Sequence, residues 1–446
     1  MTRRTEIDSL GKFDLPADTL YGIQTARALE NFPISDVPLK HFPRFVEALA
    51  AVKKAAAQAN LEAGVLPPDK VDVIVAVCDE ILAGAHHEHF VVDMIQGGAG
   101  TSTNMNANEV IANLGLLKLG HAPGDYTHLH PNDDVNRSQS TNDVYPSAIR
   151  LAVLRMLEPL TRAQQDLVAA FRERARAFGG IEKGGRSQLQ DAVPMTLGQE
   201  FTSFANTLAE DIDLTRQLST LLLEVNLGGT AIGTGANAPD GFADRVVRHL
   251  SEVTGLPFIP AHDLIEASSD LGGLVMFSGV LKRVAVKLSK ICNDLRLLSS
   301  GPRAGIGEIR LPPVQAGSSI MPGKVNPVIP EVVNQVAYQV IGNDITITMA
   351  AESGQLQLNA MEPIVTYRLL DSIRILRRAM DTLTTRCVTG IEADRVRCAA
   401  LLDNSLISAT ALAPELGYDA ATRIAKQALA DGTTIQEAQR RLGFAV

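Results

Sequence analysis

The chain has 446 residues, of which 46% are hydrophobic and 20% are charged, and its formal net charge is −9. This composition is too apolar for a disordered chain, and the length suffices for a large core divided into two or three domains. Because binding to nucleic acid or to an anionic membrane surface needs a basic field, the negative net charge argues against both partners.

The four cysteines are widely spaced and form no CxxC pair. This pattern is typical of buried thiols in a reducing compartment, not of disulfides or a zinc site. The N-terminus is polar and lacks the apolar segment of a signal peptide. No stretch reaches the roughly 18 uncharged apolar residues that a membrane span needs. The sequence therefore predicts a cytoplasmic protein without membrane spans.

Long segments with apolar residues at helical spacing dominate the chain after residue 139. The first contains Pro159, where a kink or a break is expected. Alternation typical of strands is scarce, so the sequence predicts an all-α protein. The predicted long helices run from Pro146 to Phe178, from Leu197 to Asn226, from Val275 to Ser299, from near Pro330 onward, and between Glu362 and Gly390.

Three domains follow from this pattern. Residues 1–138 mix shorter helices with loops, residues 139–390 carry the long helices, and residues 391–446 contain short helices with Pro414 and Gly417 as breaks. Long helices would measure about 40 Å at a rise of 1.5 Å per residue. Helices of that length usually form elongated bundles, which often assemble further into oligomers.

Four segments interrupt the helical pattern with glycine, hydroxyl and amide residues. Glycine lets the backbone approach a ligand closely, and hydroxyls, amides and N–H groups at helix starts bind carboxylates. Each segment alone is typical of a capped turn, but four of them in one chain favour a carboxylate-binding site. They span residues 96–109, 130–143, 185–191 and 317–326.

Three shorter, well-known motifs do not match the sequence. Gly317 to Lys324 is similar to a P-loop, but one residue too many separates its glycines, and Val325 replaces the magnesium-binding Ser or Thr. Gly233-Thr-Gly235 lacks the third glycine of a dinucleotide site. No Gly-x-Ser-x-Gly elbow exists, so a serine-hydrolase triad is not expected.

Two histidine-rich stretches offer metal-ligand chemistry. They are His86-His87-Glu88-His89, and His128 with His130. Such residues at helix ends or in loops are more often simply solvated, so no metal site is predicted.

The segment Gly317-Ser-Ser-Ile-Met-Pro-Gly-Lys-Val-Asn-Pro327 resembles the signature of the aspartase/fumarase superfamily, which is long and specific. The other three segments match that superfamily in the same order, as do residues 15–25 and 52–57, so the resemblance spans nearly the whole chain. It implies a three-domain, all-α fold whose long helices form a 20-helix core in a homotetramer. It also implies that each active site takes residues from three different subunits.

Within the superfamily the chain resembles the aspartate ammonia-lyases. The resemblance implies reversible deamination of L-aspartate to fumarate and ammonia, without an organic cofactor and with Mg²⁺ only as an activator. The segments that carry it are residues 92–101, where fumarases tend to have Gly-Ser-Gly-Thr, and residues 189–201, 289–304 and 349–359.

The same resemblance implies roles for individual residues. Ser318 is the candidate base, acting as an alkoxide that removes the C3 proton, after which donors stabilise the enediolate. Gly317 and Gly323 would let the loop close over substrate. The implied substrate-binding residues are Thr101, Ser140, Thr141 and Ser319 for the β-carboxylate, Lys324 and Asn326 with Ser187 for the α-carboxylate, and Asn142 and Gln188 for the amino group.

Three departures from the family pattern bear on the activity. Ser187-Gln188 stands where many relatives have Thr-His, and fumarases are expected to use that histidine, so Gln188 counts against a fumarase. Conversely, His130-Pro-Asn-Asp133 resembles a secondary dicarboxylate site of fumarases, which makes His130 a candidate for a peripheral site. Relatives tend to continue with one more short helix after Gly443, so the third domain is predicted to be trimmed.

Alternative functions stay open at this point. A class II-like fumarate hydratase would share the fold and the Ser318 loop, and an ammonia-lyase could act on a substituted aspartate. A non-catalytic scaffold of the crystallin kind predicts decayed site residues. Ser318, Lys324, Asn326, Thr101 and Asn142 are all present, which argues against a scaffold.

Overall fold

The computed structural model describes residues 3–444. Within these residues it contains fourteen α-helices. They are α1 (Ile23–Asn31), α2 (Pro43–Glu62), α3 (Pro68–Leu82), α4 (Thr101–Lys118), α5 (Thr141–Ala177), α6 (Leu197–Ser219), α7 (Phe242–Thr254), α8 (Gly272–Leu298), α9 (Val328–Glu352), α10 (Glu362–Arg386), α11 (Arg395–Asp403), α12 (Ile407–Leu416), α13 (Tyr418–Asp431) and α14 (Ile435–Arg441).

Eight short strands pair into four two-stranded sheets among the described residues. Three pairs are antiparallel and the β5–β6 pair is parallel. The strands are β1 (Arg3–Asp8), β2 (Gly11–Pro16), β3 (Glu182–Ser187), β4 (Gln190–Thr196), β5 (Glu224–Val225), β6 (Ile259–Pro260), β7 (Ile309–Arg310) and β8 (Glu392–Ala393).

The five long helices confirm the all-α fold class. Helices α5, α6, α8, α9 and α10 have 37, 23, 27, 25 and 25 residues. Pro159 removes one backbone hydrogen bond but does not end α5, which continues to Ala177. Likewise, Pro414 lies inside α12, whereas Gly417 separates α12 from α13 as expected.

The prediction was wrong at the end of α6. That helix ends at Ser219, not at Asn226, and Thr220–Leu222 form a 3₁₀ turn. The physical reason is that the next residues, Glu224–Val225, are extended to pair with Ile259–Pro260. A tertiary pairing thus overrides an apolar spacing that would have continued the helix.

The chain forms two compact units. Unit 1 contains residues 1–160, 214–282 and 340–374, and unit 2 contains residues 161–213, 283–339 and 375–446. The three-domain division by sequence position stays a prediction. The first and last residues of those predicted domains, Met1 and Val446, lie outside the described residues.

Unit 1 is built around α2, which packs on α3 and α7. Alanines fill much of the buried face of α2, and small side chains let helices approach closely. Helix α4 packs on α1 and α3, and its residues 103–116 are all buried. Six of these are polar: Thr103, Asn104, Asn106, Asn108, Glu109 and Asn113.

Unit 2 includes the β3–β4 hairpin and the C-terminal helices. Helix α11 packs on β3, and α12 packs on β4 and α13. A small apolar core there includes Ile424, Ala428, Ile435 and Ala438.

The thiols agree with the expectation from sequence, because all four cysteines are free and buried. Within residues 3–444, no single helix is both long and apolar enough to cross a membrane, although the bent pair α11–α12 passes on length and composition.

Candidate active site

In unit 1, Thr101 and Thr141 are the first residues of α4 and α5, and the starts of these helices lie side by side. A Cβ on Gly100 would stand 2.3 Å from the Tyr145 ring, so only glycine permits this approach. One turn into α4, Asn104 Nδ2 donates to Thr141 Oγ1 at 3.1 Å. Two adjacent helix N-termini favour an anion, because both present the positive ends of helix dipoles.

Ser140 begins α5 with a capping box. Its Oγ accepts from Asn142 N at 3.2 Å, and Asp143 Oδ1 accepts from Ser140 N at 3.0 Å. Asp143 Oδ2 also accepts from Gly228 N and Thr230 N. Burial raises the pKa of Asp143 to about 6, against the lowering effect of these three backbone donors. The segment that carries Ser140, Thr141 and Asn142 is therefore held by its neighbours in unit 1.

Asn142 is tied to a second segment of unit 1. Its Nδ2 donates to the carbonyl of Ala231 at 2.7 Å, and its own carbonyl accepts from Asn226 Nδ2 at 2.9 Å. These bonds determine where the Asn142 side chain stands.

In unit 2, the loop of residues 317–326 closes on itself at its neck. Gly317 N donates to the carbonyl of Lys324 at 2.9 Å, and Asn326 Nδ2 donates to the carbonyl of Gly317 at 2.8 Å. A Cβ on Gly317 would stand 2.3 Å from that Lys324 oxygen, so the closure requires glycine. Ser319, Ile320 and Met321 are exposed beyond the neck.

Ser318 sits at the start of the loop and is partly buried. Its Oγ accepts from Ile320 N at 3.2 Å and from Met321 N at 3.0 Å. These are the bonds of an ordinary serine turn. The same two N–H groups would also stabilise negative charge on that oxygen.

A cavity of about 720 Å³ in unit 2 includes Lys324 and Asn326 in its wall. Arg296 and Arg310 line it as well, and Arg310 is paired with Asp394 at 2.6 Å. Three cationic side chains against one carboxylate make this cavity suited to an anion. A larger cavity of about 870 Å³ in the same unit contains none of the predicted residues in its wall.

Ser187 and Gln188 are exposed at the tip of the β3–β4 hairpin. Gln188 and Leu189 form a two-residue turn with φ of 54° and 62°, as a type I′ hairpin turn requires. This hairpin is not evident in the sequence, because Gly184 and Gly185 break the alternation that marks a strand.

The predicted residues therefore fall into two groups. Unit 1 brings Thr101, Ser140, Thr141 and Asn142 to the paired helix starts. Unit 2 carries the loop residues Ser318, Ser319, Lys324 and Asn326, and separately the hairpin residues Ser187 and Gln188.

The buried polar residues behind the unit 1 group are not among the residues predicted from sequence. Lys53 and Asn104 lie in segments that carry the family resemblance, but the resemblance itself implies no role for them. Both are essentially unexposed, at 0% and 1%. The available signal was the run of polar residues in α4, which leaves that helix without a clear apolar face.

His130 has a local structural role. Its Nδ1 accepts from Asn132 N and Asp133 N, so it caps the short π-helical turn Pro131–Val135. The adjacent cavity of about 420 Å³ also includes Glu6, Asp8 and Glu109 in its wall.

Two groups of described residues bring metal-ligand atoms close together, and neither contains a predicted site residue. One is His86, Glu88 and His89, and the other is His121, Asp125 and His128. In the second group the two imidazole rings stack at 3.6 Å, and Asp125 Oδ2 lies 3.7–3.8 Å from a nitrogen of each. Both groups are partly exposed.

Comparisons with known proteins extend over the whole chain. A family model described as a lyase matches residues 11–342, and one described as the fumarase C C-terminus matches residues 409–445. An aspartate ammonia-lyase from Pseudomonas aeruginosa is 60% identical over 438 residues, which cover 98% of this chain and 92% of that protein.

Two solved structures have the same fold. A fumarate lyase:delta crystallin from Brucella melitensis, bound to cobalt, is 59% identical with a TM-score of 0.97, covering 100% of this chain and 96% of the other. A class II fumarase from Schistosoma mansoni is 34% identical with a TM-score of 0.95, with the same coverage.

Proposed function

We propose a function from the premise that this chain belongs to the aspartase/fumarase lyase family, among the aspartate ammonia-lyases. The protein is a carbon–nitrogen lyase that converts L-aspartate reversibly to fumarate and ammonia. The observation that carries this proposal is the 60% identity to an aspartate ammonia-lyase over nearly the full length of both chains.

The chemical difficulty is the C3 proton of aspartate, which is only weakly acidic. Ser318, as an alkoxide, takes this proton, and the C3–H electron pair moves toward the β-carboxylate to form an enediolate. The enediolate then collapses, a C2–C3 double bond forms, and the C2–N bond breaks with its electrons leaving on nitrogen. Support for this role of Ser318 comes from the two N–H groups directed at its Oγ, because they would stabilise the alkoxide.

The β-carboxylate carries the charge that develops in the transition state. Thr101, Ser140, Thr141 and Ser319 bind it through hydroxyl and backbone donors. Donors that meet more negative charge in the transition state than in the ground state lower the barrier, which is why such a cluster is catalytic and not merely a binding site.

Lys324 and Asn326, with Ser187, hold the α-carboxylate, and Asn142 and Gln188 face the amino group. The support is the cationic cavity that includes Lys324 and Asn326. Net charge of the whole chain has little influence on this site, because binding depends on local donors.

The active form is a homotetramer with shared active sites in the cytoplasm. The proposed residues divide between two units, and the family resemblance implies that separate subunits complete each site. Helix α9 also exposes several large apolar side chains, as expected of an oligomer interface. These are Val332, Tyr338, Ile345 and Met349.

No organic cofactor takes part, and Mg²⁺ acts at most as an activator. The Brucella structure is described as bound to cobalt. For this chain, hydroxyl, amide and backbone donors supply the charge stabilisation, so deamination at neutral pH should persist after treatment with EDTA.

The alternative function is fumarate hydration, because the chain is also 34% identical to a class II fumarase. Gln188 favours deamination, because it cannot shuttle a proton as histidine does. The test is to incubate the protein with fumarate alone and with fumarate plus ammonium. Loss of fumarate absorbance only with ammonium supports the proposal, whereas malate formed without ammonium would overturn it. The remaining alternative is an ammonia-lyase for substituted aspartates, and it is tested by measuring the deamination of such compounds.

A further inference from the structure

Thr141 is mostly buried, and its hydroxyl oxygen is hydrogen-bonded to the side-chain amide of Asn104. Thr141 is 9% exposed, and Asn104 Nδ2 lies 3.1 Å from its Oγ1. An amide NH₂ group only donates, so Thr141 Oγ1 is the acceptor in this bond. Since a hydroxyl has a single hydrogen, that hydrogen remains available to donate elsewhere.

The direction of this bond depends on which end of the Asn104 amide faces Thr141. The second N–H of Asn104 Nδ2 donates to Asn136 Oδ1 at 3.1 Å. If the Asn104 amide were reversed, two carbonyl oxygens would face each other in a buried site, at a substantial cost. The orientation of Asn104 therefore follows from the orientation of Asn136.

Lys53 determines the orientation of Asn136. Its amino nitrogen lies 2.8 Å from Asn136 Oδ1 and 2.9 Å from Gln139 Oε1. Burial lowers the pKa of Lys53 to about 7, and the neutral amine still has a hydrogen for each of these two oxygens. Asn136 must therefore present its oxygen to this point, while its Nδ2 donates to the carbonyl of Gln139 at 3.2 Å. Lys53 comes from α2, Asn104 from α4, and Asn136 from the turn before α5.

We propose that Lys53, Asn136 and Asn104 form a positioning chain that orients the Thr141 hydroxyl as a hydrogen-bond donor toward the β-carboxylate of the substrate. This inference rests on the proposed function of Thr141. None of the three residues is among the proposed substrate-binding residues. They set the direction of a series of hydrogen bonds. Because Lys53 donates at one end, Thr141 accepts from Asn104 and keeps its own hydrogen to donate to substrate.

Asn104→Asp tests this polarity directly. Aspartate has nearly the same shape, but a carboxylate only accepts, so Thr141 would turn its hydrogen toward residue 104 and lose it as a donor to substrate. Loss of one such donor typically costs on the order of 10²-fold or more in kcat. We expect kcat/KM for aspartate to fall about 100-fold, and the Kd for succinate to rise.

Asn106→Asp is the matched control. Asn106 lies on the same helix, is buried, and bonds to Val91 N at 2.9 Å and to the His89 carbonyl at 3.0 Å instead of to Asn136 or Thr141. The same charge change there should alter kcat/KM by less than about five-fold. Thermal unfolding of both variants shows whether each is folded.

A double-mutant comparison separates positioning from general damage. In a Thr141→Val background, Asn104→Asp should lower kcat/KM by less than about three-fold further. Lys53→Met provides a second route should Asn104→Asp not fold, because methionine fits the space but cannot orient Asn136. It should lower kcat/KM about ten-fold, and again have little effect in the Thr141→Val background.

Equal losses in Asn104→Asp and Asn106→Asp, or a full loss in the Thr141→Val background, would overturn the inference. Succinate binding distinguishes this failure from failure of the proposed function. If the parent protein binds succinate but does not deaminate aspartate, the proposed function is wrong. The positioning chain is then tested by the Kd values of the same variants for succinate. If the parent protein binds no dicarboxylate, both are overturned.

Discussion

The ammonium of Lys183 lies 2.7 Å from the carboxylate of Glu308, and the two side chains are only 2% and 0% exposed. Arg186 Nη2 lies 2.8 Å from the other oxygen of Glu308, and Lys183 also pairs with Glu200 at 2.5 Å. Glu308 thus holds two cationic residues of β3, the strand that leads to Ser187 and Gln188. A buried carboxylate with two partners fixes the base of the hairpin whose tip carries proposed substrate contacts.

Replacing Glu308 with Gln should destabilise the protein. The change leaves Lys183 and Arg186 without their shared buried counter-ion, and loss of one partner of a buried pair costs about 3–5 kcal/mol. Lys183 keeps Glu200, so we expect the low end of that range in the free energy of unfolding, measured by denaturant titration. Glu437→Gln is the control, because its pair with Arg441 is half exposed and should contribute far less to stability. Equal effects of the two changes would contradict this role.

Ser318→Ala should leave the fold and the assembly intact and reduce turnover. A general base contributes roughly 10²–10⁴-fold, so kcat for aspartate should fall by about that factor with little change in unfolding temperature. Ser319→Ala, which removes a proposed carboxylate donor one residue away, should have a smaller effect on kcat. Near-normal turnover of Ser318→Ala would remove this residue as the base.

Gly317→Ala should disable the loop without weakening the core. The added Cβ would stand 2.3 Å from the carbonyl oxygen of Lys324, so the neck of the loop would have to open. Activity is expected to fall at least about ten-fold, since misplacement by about 1 Å can cost 10²-fold, and thermal unfolding should change little. Gly180→Ala is the control, because a Cβ there meets nothing within 4 Å. Full activity of Gly317→Ala would show that the neck tolerates opening.

Glu362 should make stability depend on pH. Burial raises its pKa from 4.5 to about 8, with Arg150 acting in the opposite direction. Between pH 4.5 and about pH 8, Glu362 is protonated in the folded protein but ionised in the unfolded chain. This group's contribution to stability is therefore complete below about pH 4.5 and is lost as pH rises through about 8, at up to roughly 1.4 kcal/mol per pH unit.

Glu362→Gln mimics the protonated form and removes this titration. The free energy of unfolding of the parent protein, relative to the variant, should therefore decline between pH 5 and pH 8. Denaturant titrations of both proteins across that range provide the measurement. Parallel curves would contradict the prediction.

The assembly can be measured without any variant. We expect light scattering to give the mass of a tetramer of the 47.7 kDa chain. A dimeric or monomeric variant should be inactive if residues from several subunits complete each site. A fully active monomer would contradict shared active sites.

The long helices could be predicted from sequence because their signal is local. In α8, the buried residues Val280, Val284, Leu288 and Ile291 recur every three or four positions, and the structure has one helix there. Local spacing could not show that α6 ends at Ser219, because the residues after it, Glu224–Val225, pair with residues 35 positions further along the chain. The β3–β4 hairpin was equally hidden, since a buried ion pair and a tight turn support it in place of strand alternation.

Periodicity and motifs are properties of neighbouring residues, so they were sufficient to establish the helical class and the family and to identify the proposed catalytic and binding residues. How those residues are held in place depends on contacts between distant segments. Thr141 is recognisable from its motif, but the direction of its hydroxyl depends on Asn104, Asn136 and Lys53, which three separate segments bring together. The physical reason is that a hydrogen bond has a donor and an acceptor, and which group takes each role depends on its neighbours in space.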